Sequence, residues 1–242
     1  MPANNDNGLI TLICVGGFFL VILILLLLAM IQGRKRKTAF GATMTQLGFQ
    51  AQPQADAEFL GHLQRLFAPS QVKKVSNLAV KLVGDERYFL FDITYTSPRM
   101  SYDDSGSSIN TEYNNVAVLS PHLDLPPFIL MNRIKAPGAL AGMADGVLSY
   151  AATAAGFTEF KEVPTVFQMN YMLFVKEDPR LATAFTDQLL GQLGLLDGVV
   201  ARGLNQLLVL NRFDLRGSSK LDSVKLADQV TLLRQMTDWL VK

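Results

Sequence analysis

The sequence predicts an α+β protein: a single N-terminal transmembrane helix followed by a mainly antiparallel sheet domain with flanking helices. Three observations predict it. An uncharged run, Leu9 to Ile31, stands near the start. Between about Leu78 and Leu210 several apolar stretches alternate at every second position and are punctuated by turn residues. Before and after that region apolar residues recur at helical spacing, and the regular strand–helix–strand alternation of a doubly wound parallel sheet is missing.

The whole-chain numbers limit the partners. The chain has 242 residues, 22 Lys plus Arg against 21 Asp plus Glu, and 49% hydrophobic residues. Its net charge of +1 excludes the chain-wide basic field that neutralises nucleic-acid phosphates. One Cys and two His exclude an intrachain disulfide framework, a multi-thiolate zinc site and a three-His metal site. No cofactor is expected.

The mean hydropathy of +0.22 is high for a soluble protein. Leu9–Ile31 is its main source. As a helix this run is about 34 Å long, enough to cross a hydrocarbon core of about 30 Å. A cleaved signal peptide is a poor match, since Met1–Gly8 holds no Lys or Arg and the run is too long. A lipoprotein site at Cys14 would need a small residue before it, where Ile13 stands. Arg34, Lys35, Arg36 and Lys37 follow the run directly, and basic flanks stay cytoplasmic. The same four cations can also touch anionic lipid headgroups. The expected organisation is an external tail at 1–8, the transmembrane helix at 9–32, a basic juxtamembrane linker with a short helix at 33–55, and a cytoplasmic domain at 56–242. Four of the basic residues and one acidic residue precede Thr38, so the remainder carries 18 against 20, a net charge of −2. A surface mixed in this way has no pull toward nucleic acid.

Along the domain, a short helix is expected around Phe40–Leu47. Ala57, Phe59, Leu60, Leu63, Leu66 and Phe67 then fall at helical spacing, so Asp56–Ala68 reads as an amphipathic helix capped by Asp56. Leu78, Val80 and Leu82 alternate, Gly84-Asp85-Glu86 turns, and Phe89, Phe91, Ile93 and Tyr95 alternate again. The pair reads as a hairpin with an aromatic face. Ser97–Thr111 is polar and reads as a loop. Val116–Leu119 and Phe128–Met131 read as strands around a proline-rich turn at Ser120–Pro127.

Pro137–Gly156 is dominated by small residues. It reads as a loosely held helix or loop, as a packed helix, or as a membrane or oligomer contact built on Gly138, Gly142 and Gly146, which stand four apart. Gln168–Lys176 reads as a strand, followed by a helix with Asp178 as cap and Pro179 at its first position. Val199–Ala201 and Leu207–Leu210 form a second hairpin, turning at Arg202–Asn205. A last helix runs from about Lys220 to Leu240, with Leu226, Val230, Leu233 and Leu240 on its core face and Trp239 as an anchor.

The search for chemistry yields little. Phosphate loops, dinucleotide fingerprints, zincin motifs and nucleophile elbows are absent from the sequence. With Cys14 inside the span, a Cys–His nucleophile is excluded for the domain. The loop at Asp103-Asp104 lacks the alternating carboxylates of a calcium loop. His62 occupies an exposed-looking position of its helix. His122 and Asp124 stand two apart and could orient one another for acid–base work, although turn chemistry reads better. Asp92 interrupts the apolar segment Tyr88–Ile93 on the face opposite Phe91. It reads either as a solvent-facing strand position or as a carboxylate hydrogen-bonded at a sheet edge or lining a groove.

Several segments occur in a suggestive order: Leu47-Gly48-Phe49, then Tyr88–Thr96, then Val116–Leu119 with Leu125-Pro126-Pro127-Phe128, then Phe167 and Tyr171 near Asp178, and a strand before a final helix. This order resembles a family of uncharacterised bacterial membrane-anchored proteins with a domain of unknown function. Asn132-Arg133 replaces that family's usual Pro-Glu, and Pro137–Gly156 departs from it as well. The resemblance implies a bacterial source and the architecture above, and it carries over no catalytic or ligand residue.

The expectation is a membrane-tethered, non-enzymatic domain acting as scaffold, sensor or partner-binding module. It would sit in the bacterial cytoplasmic membrane, N-terminus out, held in the bilayer through residues 9–32, with a possible protein partner in the same membrane. The alternatives are a small-molecule or lipid-binding domain, or a hydrolase using dispersed carboxylates such as Asp92 or Asp124.

Overall fold

A computed structural model of the chain describes Ile24 and residues 38–68, 70–98, 107–134, 139–212 and 222–241. Contacts divide the chain into Met1–Thr43 and Met44–Lys242. The predicted span and the basic cluster Arg34–Lys37 lie outside the described residues, apart from Ile24, which is helical. No helix among the described residues is long and apolar enough to cross a membrane. Helix α1 covers 38–46, close to the short helix the sequence predicts.

The second unit is built on one sheet of nine strands among the described residues. They are β1 (Gln50–Ala51), β2 (Gln71–Val83), β3 (Glu86–Pro98), β4 (Ser107–Leu119), β5 (Leu125–Asn132), β6 (Thr158–Glu159), β7 (Tyr171–Val175), β8 (Val199–Asn205) and β9 (Leu207–Arg212). The spatial order is β1-β2-β3-β4-β9-β8-β5-β7-β6, and every neighbouring pair is antiparallel. The fold is therefore α+β with a large antiparallel sheet and flanking helices, as the grouping of strands predicts.

One face carries α2 (Ala57–Leu66), whose Asp56 cap accepts from Phe59 N at 2.8 Å. Its Phe59 lies parallel to Phe89 at 3.9 Å between ring centroids and edge-on to Phe91 at 5.3 Å. Leu63, Ile93, Ala117, Leu207 and Val209 complete this core. Residues directly opposite in an antiparallel pair point to the same side. Val209 pairs with Arg202, Arg202 with Ile129, and Ile129 with Phe174. The α2 face thus continues to Ile129 and Phe174, where α3 (Ala139–Ala154) packs through Ala152 and Leu148.

The other face holds Tyr88, Leu90, Val116, Val118, Leu208 and Leu210. It is covered by α7 (Ser223–Leu240), whose core face is Leu226, Leu232, Leu233 and Met236. Trp239 is only half-buried. Farther along the same face Phe128 stands edge-on to Phe185, which follows α5 (Leu181–Ala184). Gly203 makes room for that ring: a Cβ there would stand 2.1 Å from Phe128 Cε1.

Several sequence expectations change. The polar Ser97–Thr111 stretch reads as loop, yet β3 reaches Pro98 and β4 starts at Ser107. Polar cross-strand pairs hold that extension, such as Thr94 with Thr111 across 3.2 Å between hydroxyls. Pro126 and Pro127 lie inside β5, at a register shift between Leu125 and Phe128 where a ladder N–H is not required. Helix α4 (Thr165–Asn170) takes the start of the expected strand at Gln168. The helix expected from Asp178 is broken into α5 and α6 (Asp187–Gly194), because Thr186 caps α6 anew. Arg202–Asn205 belongs to β8 instead of turning, and the chain reverses at Asn205, with φ +52°, and Gln206. Residues 50–51 of the expected linker form the edge strand β1, paired with Ala79 and Val80. Pro137–Gly156 contains a helix packed on one side.

Candidate functional site

Asp92 sits in β3, between β2 and β4, and is 2% exposed. Both neighbouring strand pairs shift register beside it: β2 between Ser76 and Ala79, and the β3–β4 pairing between Phe91 and Ile93. Each irregularity contains an asparagine at positive φ, Asn77 at 49° and Asn114 at 57°. Asp92 Oδ2 accepts from Asn77 Nδ2 at 2.7 Å, and Oδ1 accepts from Asn114 N at 2.9 Å. The solvent-facing reading is therefore corrected. The carboxylate is buried, and its partners are the two bulges it joins.

His122 and Asp124 do not orient one another. His122 Nε2 stands 2.9 Å from Asp85 Oδ2 at the surface. Asp124 instead pairs with Arg180 Nη1, which also donates to Asn205 Oδ1 at 3.3 Å. Arg180 Nε and Nη2 donate to the two oxygens of Asp178 at 2.8 and 2.6 Å. Hydrogen bonds from the Arg180 side chain and backbone hold the Asp178 carboxyl at about 2. This cluster ties the β4–β5 connection, the β8–β9 turn and the start of α5 together. Arg34, Lys35, Arg36 and Lys37, expected to set the topology, lie outside the described residues.

His62 is corrected too. It is 9% exposed, and its Nδ1 is buried without a hydrogen-bond partner. Burial first, then the nearby cations Arg65 and Arg87, hold its pKa below the ordinary 6.5 against an opposing effect of Glu58.

Two charge clusters were not legible in the sequence. Arg202 donates twice to Glu112, Nη1 to Oε2 and Nη2 to Oε1, each at 2.9 Å, and Tyr95 donates to the same carboxylate at 2.8 Å. The guanidinium also lies 4.8 Å from the Phe67 ring centre. Burial would raise the Glu112 carboxyl, but Arg202 outweighs it and holds the group ionised. The second cluster is Arg133, which donates to Gln168 O at 2.7 Å, Asp145 Oδ2 at 2.6 Å and Glu159 Oε1 at 3.3 Å. It ties α3, α4 and β6 to the end of β5. In both clusters the partners are far apart in sequence, and no spacing rule links them.

Asp145 is the one charged residue of α3. Asp145, Leu148 and Ala152 of α3 face the sheet. The opposite side presents Met143, Val147 and Tyr150, spaced i, i+4, i+7 and exposed by 68%, 67% and 60%. Gly142 and Gly146 stand beside them, exposed, with nothing within 4 Å of where a Cβ would sit.

At the opposite edge of the sheet, a depression of about 420 Å³ is lined by residues including Gln50, Gln52, Asp56, Lys81 and Arg87. Its cations are engaged: Lys81 Nζ donates to Leu47 O at 2.9 Å, and Arg87 pairs with Asp56 and Glu58 at 3.3 and 2.5 Å. Among the described residues no three His, Cys, Asp or Glu side chains converge into a metal-binding group.

No family model matches the chain, and no curated protein matches it. Among solved structures it is similar to the mycobacterial trehalose monomycolate transport factor A, TtfA. The identity is 10%, the match covers 86% of this chain and 95% of that chain, and the TM-score is 0.49. That degree of likeness fixes neither fold nor function.

Proposed function

We propose that the chain is a membrane-tethered, non-enzymatic module that binds a protein partner in the same membrane through the outward side of α3. The observation that carries this reading is the exposed stripe Met143, Val147 and Tyr150 on a helix whose inner side is already packed. Three large apolar side chains exposed on one side of one helix suit contact with a partner. Weighing against the dispersed-carboxylate hydrolase is the occupation of its candidates. Asp92 is consumed by the two bulges and Asp124 by Arg180.

The tether in this proposal is Leu9–Ile31, and Arg34–Lys37 keep the domain in the cytoplasm of a bacterium, N-terminus out. The basic run and the resemblance to bacterial membrane-anchored proteins support that location.

A second reading rests on the depression at the β1–β2 edge, whose volume suits a small ligand. Its lining also includes Val80 and Leu82, and its cations Lys81 and Arg87 are held by Leu47 O and by Asp56 and Glu58.

The test is a photoreactive residue at position 150 of the full-length protein, irradiated in intact membranes. A discrete protein adduct, lost on Val147→Asp, is the expected result. No adduct, or one equally strong from an exposed α7 position such as 225, sinks the proposal.

A further inference from the structure

We propose that the depression at the β1–β2 edge binds the carboxyl end of a short extended peptide. This rests on the small-ligand reading of that depression and names the class of ligand.

The main chain supplies the first argument. β1 pairs only with Ala79 and Val80, and beyond it Gln52 N donates to Leu78 O at 2.9 Å. In an antiparallel ladder every second residue turns its N–H and C=O to the same neighbour. Leu78, Val80 and Leu82 therefore face the outer edge. Continuing the register would set residue 48 against Leu82. Gly48, at φ +73°, leaves the ladder instead and donates its N–H to Thr45 O at 3.1 Å. Among the described residues the outward N–H and C=O of Leu82 have no hydrogen-bond partner. Such an open donor and acceptor on a strand edge match one residue of an extended peptide. Gly48 and Leu82 both line the depression, so the space lies between them.

The side chains supply the second argument. Gln50 stands opposite Val80, so Gln50, Gln52, Val80 and Leu82 share one side of the sheet. The two glutamine amides make no side-chain hydrogen bond among the described residues, and Leu82 is 70% exposed. Together they offer polar partners for a further peptide group and apolar cover for one side chain. A volume of about 420 Å³ has room for a few residues and not for a folded partner.

Charge decides which end of the peptide enters. Arg87 is taken up by Asp56 and Glu58. Lys81 has no carboxylate partner among the described residues, and its ammonium donates to Leu47 O alone. It stands at the Gly48 end, 3.3 Å from where a Cβ on that glycine would lie. An ammonium carries three donors, so two are open to a carboxylate beside the Leu82 edge.

The experiment uses the full-length chain in detergent micelles, isotope-labelled for amide NMR. It is titrated with N-acetyl-dialanine as the free acid and with the same dipeptide capped as its amide. Saturable shifts are expected at the Leu82 amide and at the Gln50 and Gln52 side-chain amides, with none at Lys225 on exposed α7. The free acid should bind about tenfold or more tightly than the capped form, the effect of one charge-assisted hydrogen bond. Lys81→Gln should abolish that preference and leave the affinity for the capped form unchanged, which shows that the site is intact. Equal affinities for the two probes, or an undiminished preference in Lys81→Gln, overturn the carboxylate and leave the depression as a small-ligand site. Shifts from neither probe at about 10 mM, or shifts as large at Lys225, overturn both readings.

Discussion

Asp92 Oδ2 accepts a 2.7 Å hydrogen bond from Asn77 Nδ2, and its other oxygen accepts from Asn114 N. One carboxylate thus joins irregularities on both sides of β3. Asn77 and Asn114 each occupy left-handed backbone, where asparagine is tolerated better than most residues. Asp92→Ala leaves two donors without this acceptor in a buried setting, at about 1–3 kcal/mol each. We expect a loss of about 3 kcal/mol by urea unfolding, with the m-value unchanged. A loss under about 0.5 kcal/mol, the range of neutral surface changes, would show that the bulges hold without the clamp.

His62 gives the unit a pH dependence with a definite sign. Its pKa is lowered in the folded state, chiefly by burial. The folded form therefore binds fewer protons than the unfolded one near the ordinary value of 6.5. Its contribution to stability is complete above that value and is lost as pH falls below it toward the folded pKa. His62→Gln should flatten the decline in Tm between about pH 7 and pH 5, the range in which histidine changes charge. An unchanged slope in that variant counts against the assignment.

How much of this was legible in the sequence depends on the range of the cause. Asp56 capping α2 and the alternation of Phe89, Phe91 and Ile93 are local, and both were read correctly. Ser107–Thr111 reads as loop because it and its partners, Thr94 to Pro98, are mostly polar, so no hydrophobic alternation marks the pairing. Pro126 and Pro127 read as a turn because the bulge that admits them is a property of the pairing, not of β5 alone. Asp92 reads as opposite Phe91, as it is, but its hydrogen-bond partners Asn77 and Asn114 stand 15 and 22 residues away, beyond the reach of any local pattern. Glu112 and Arg202 are 90 residues apart and meet only because β9 lies between their strands.

The Glu112–Arg202 pair separates breaking a charge pair from replacing it. Glu112→Leu alone leaves Arg202 charged in a largely buried site and should cost about 3–5 kcal/mol. Arg202→Met alone strands the carboxylate and should cost a similar amount. The double variant places apolar groups against Phe67 and Tyr95, and should recover most of the loss. Additive single losses in a double-mutant cycle would mean the two side chains act independently.

Gly203 is required by space. Its backbone lies under Phe128, and a methyl group would stand 2.1 Å from the ring. Gly203→Ala forces the ring away from Phe185 and should destabilise by about 1–3 kcal/mol, as overpacking does. Adding Phe128→Leu should relieve part of that cost, since the shorter side chain vacates the contact. Phe128→Leu making Gly203→Ala worse would place the strain elsewhere.

The proposed membrane topology can be tested by protease. Four cations directly follow the apolar run, while the preceding eight residues hold only Asp6 as a charged side chain. The basic-flank rule predicts that the domain stays inside. Protease added to intact spheroplasts should leave the region after Thr38 whole, and digestion should follow only on lysis. Replacing Arg34–Lys37 with glutamines while adding lysines before Leu9 should move some of the chains to the opposite orientation, because the charge bias is then reversed. Cleavage of the wild-type domain from outside would overturn the cytoplasmic placement.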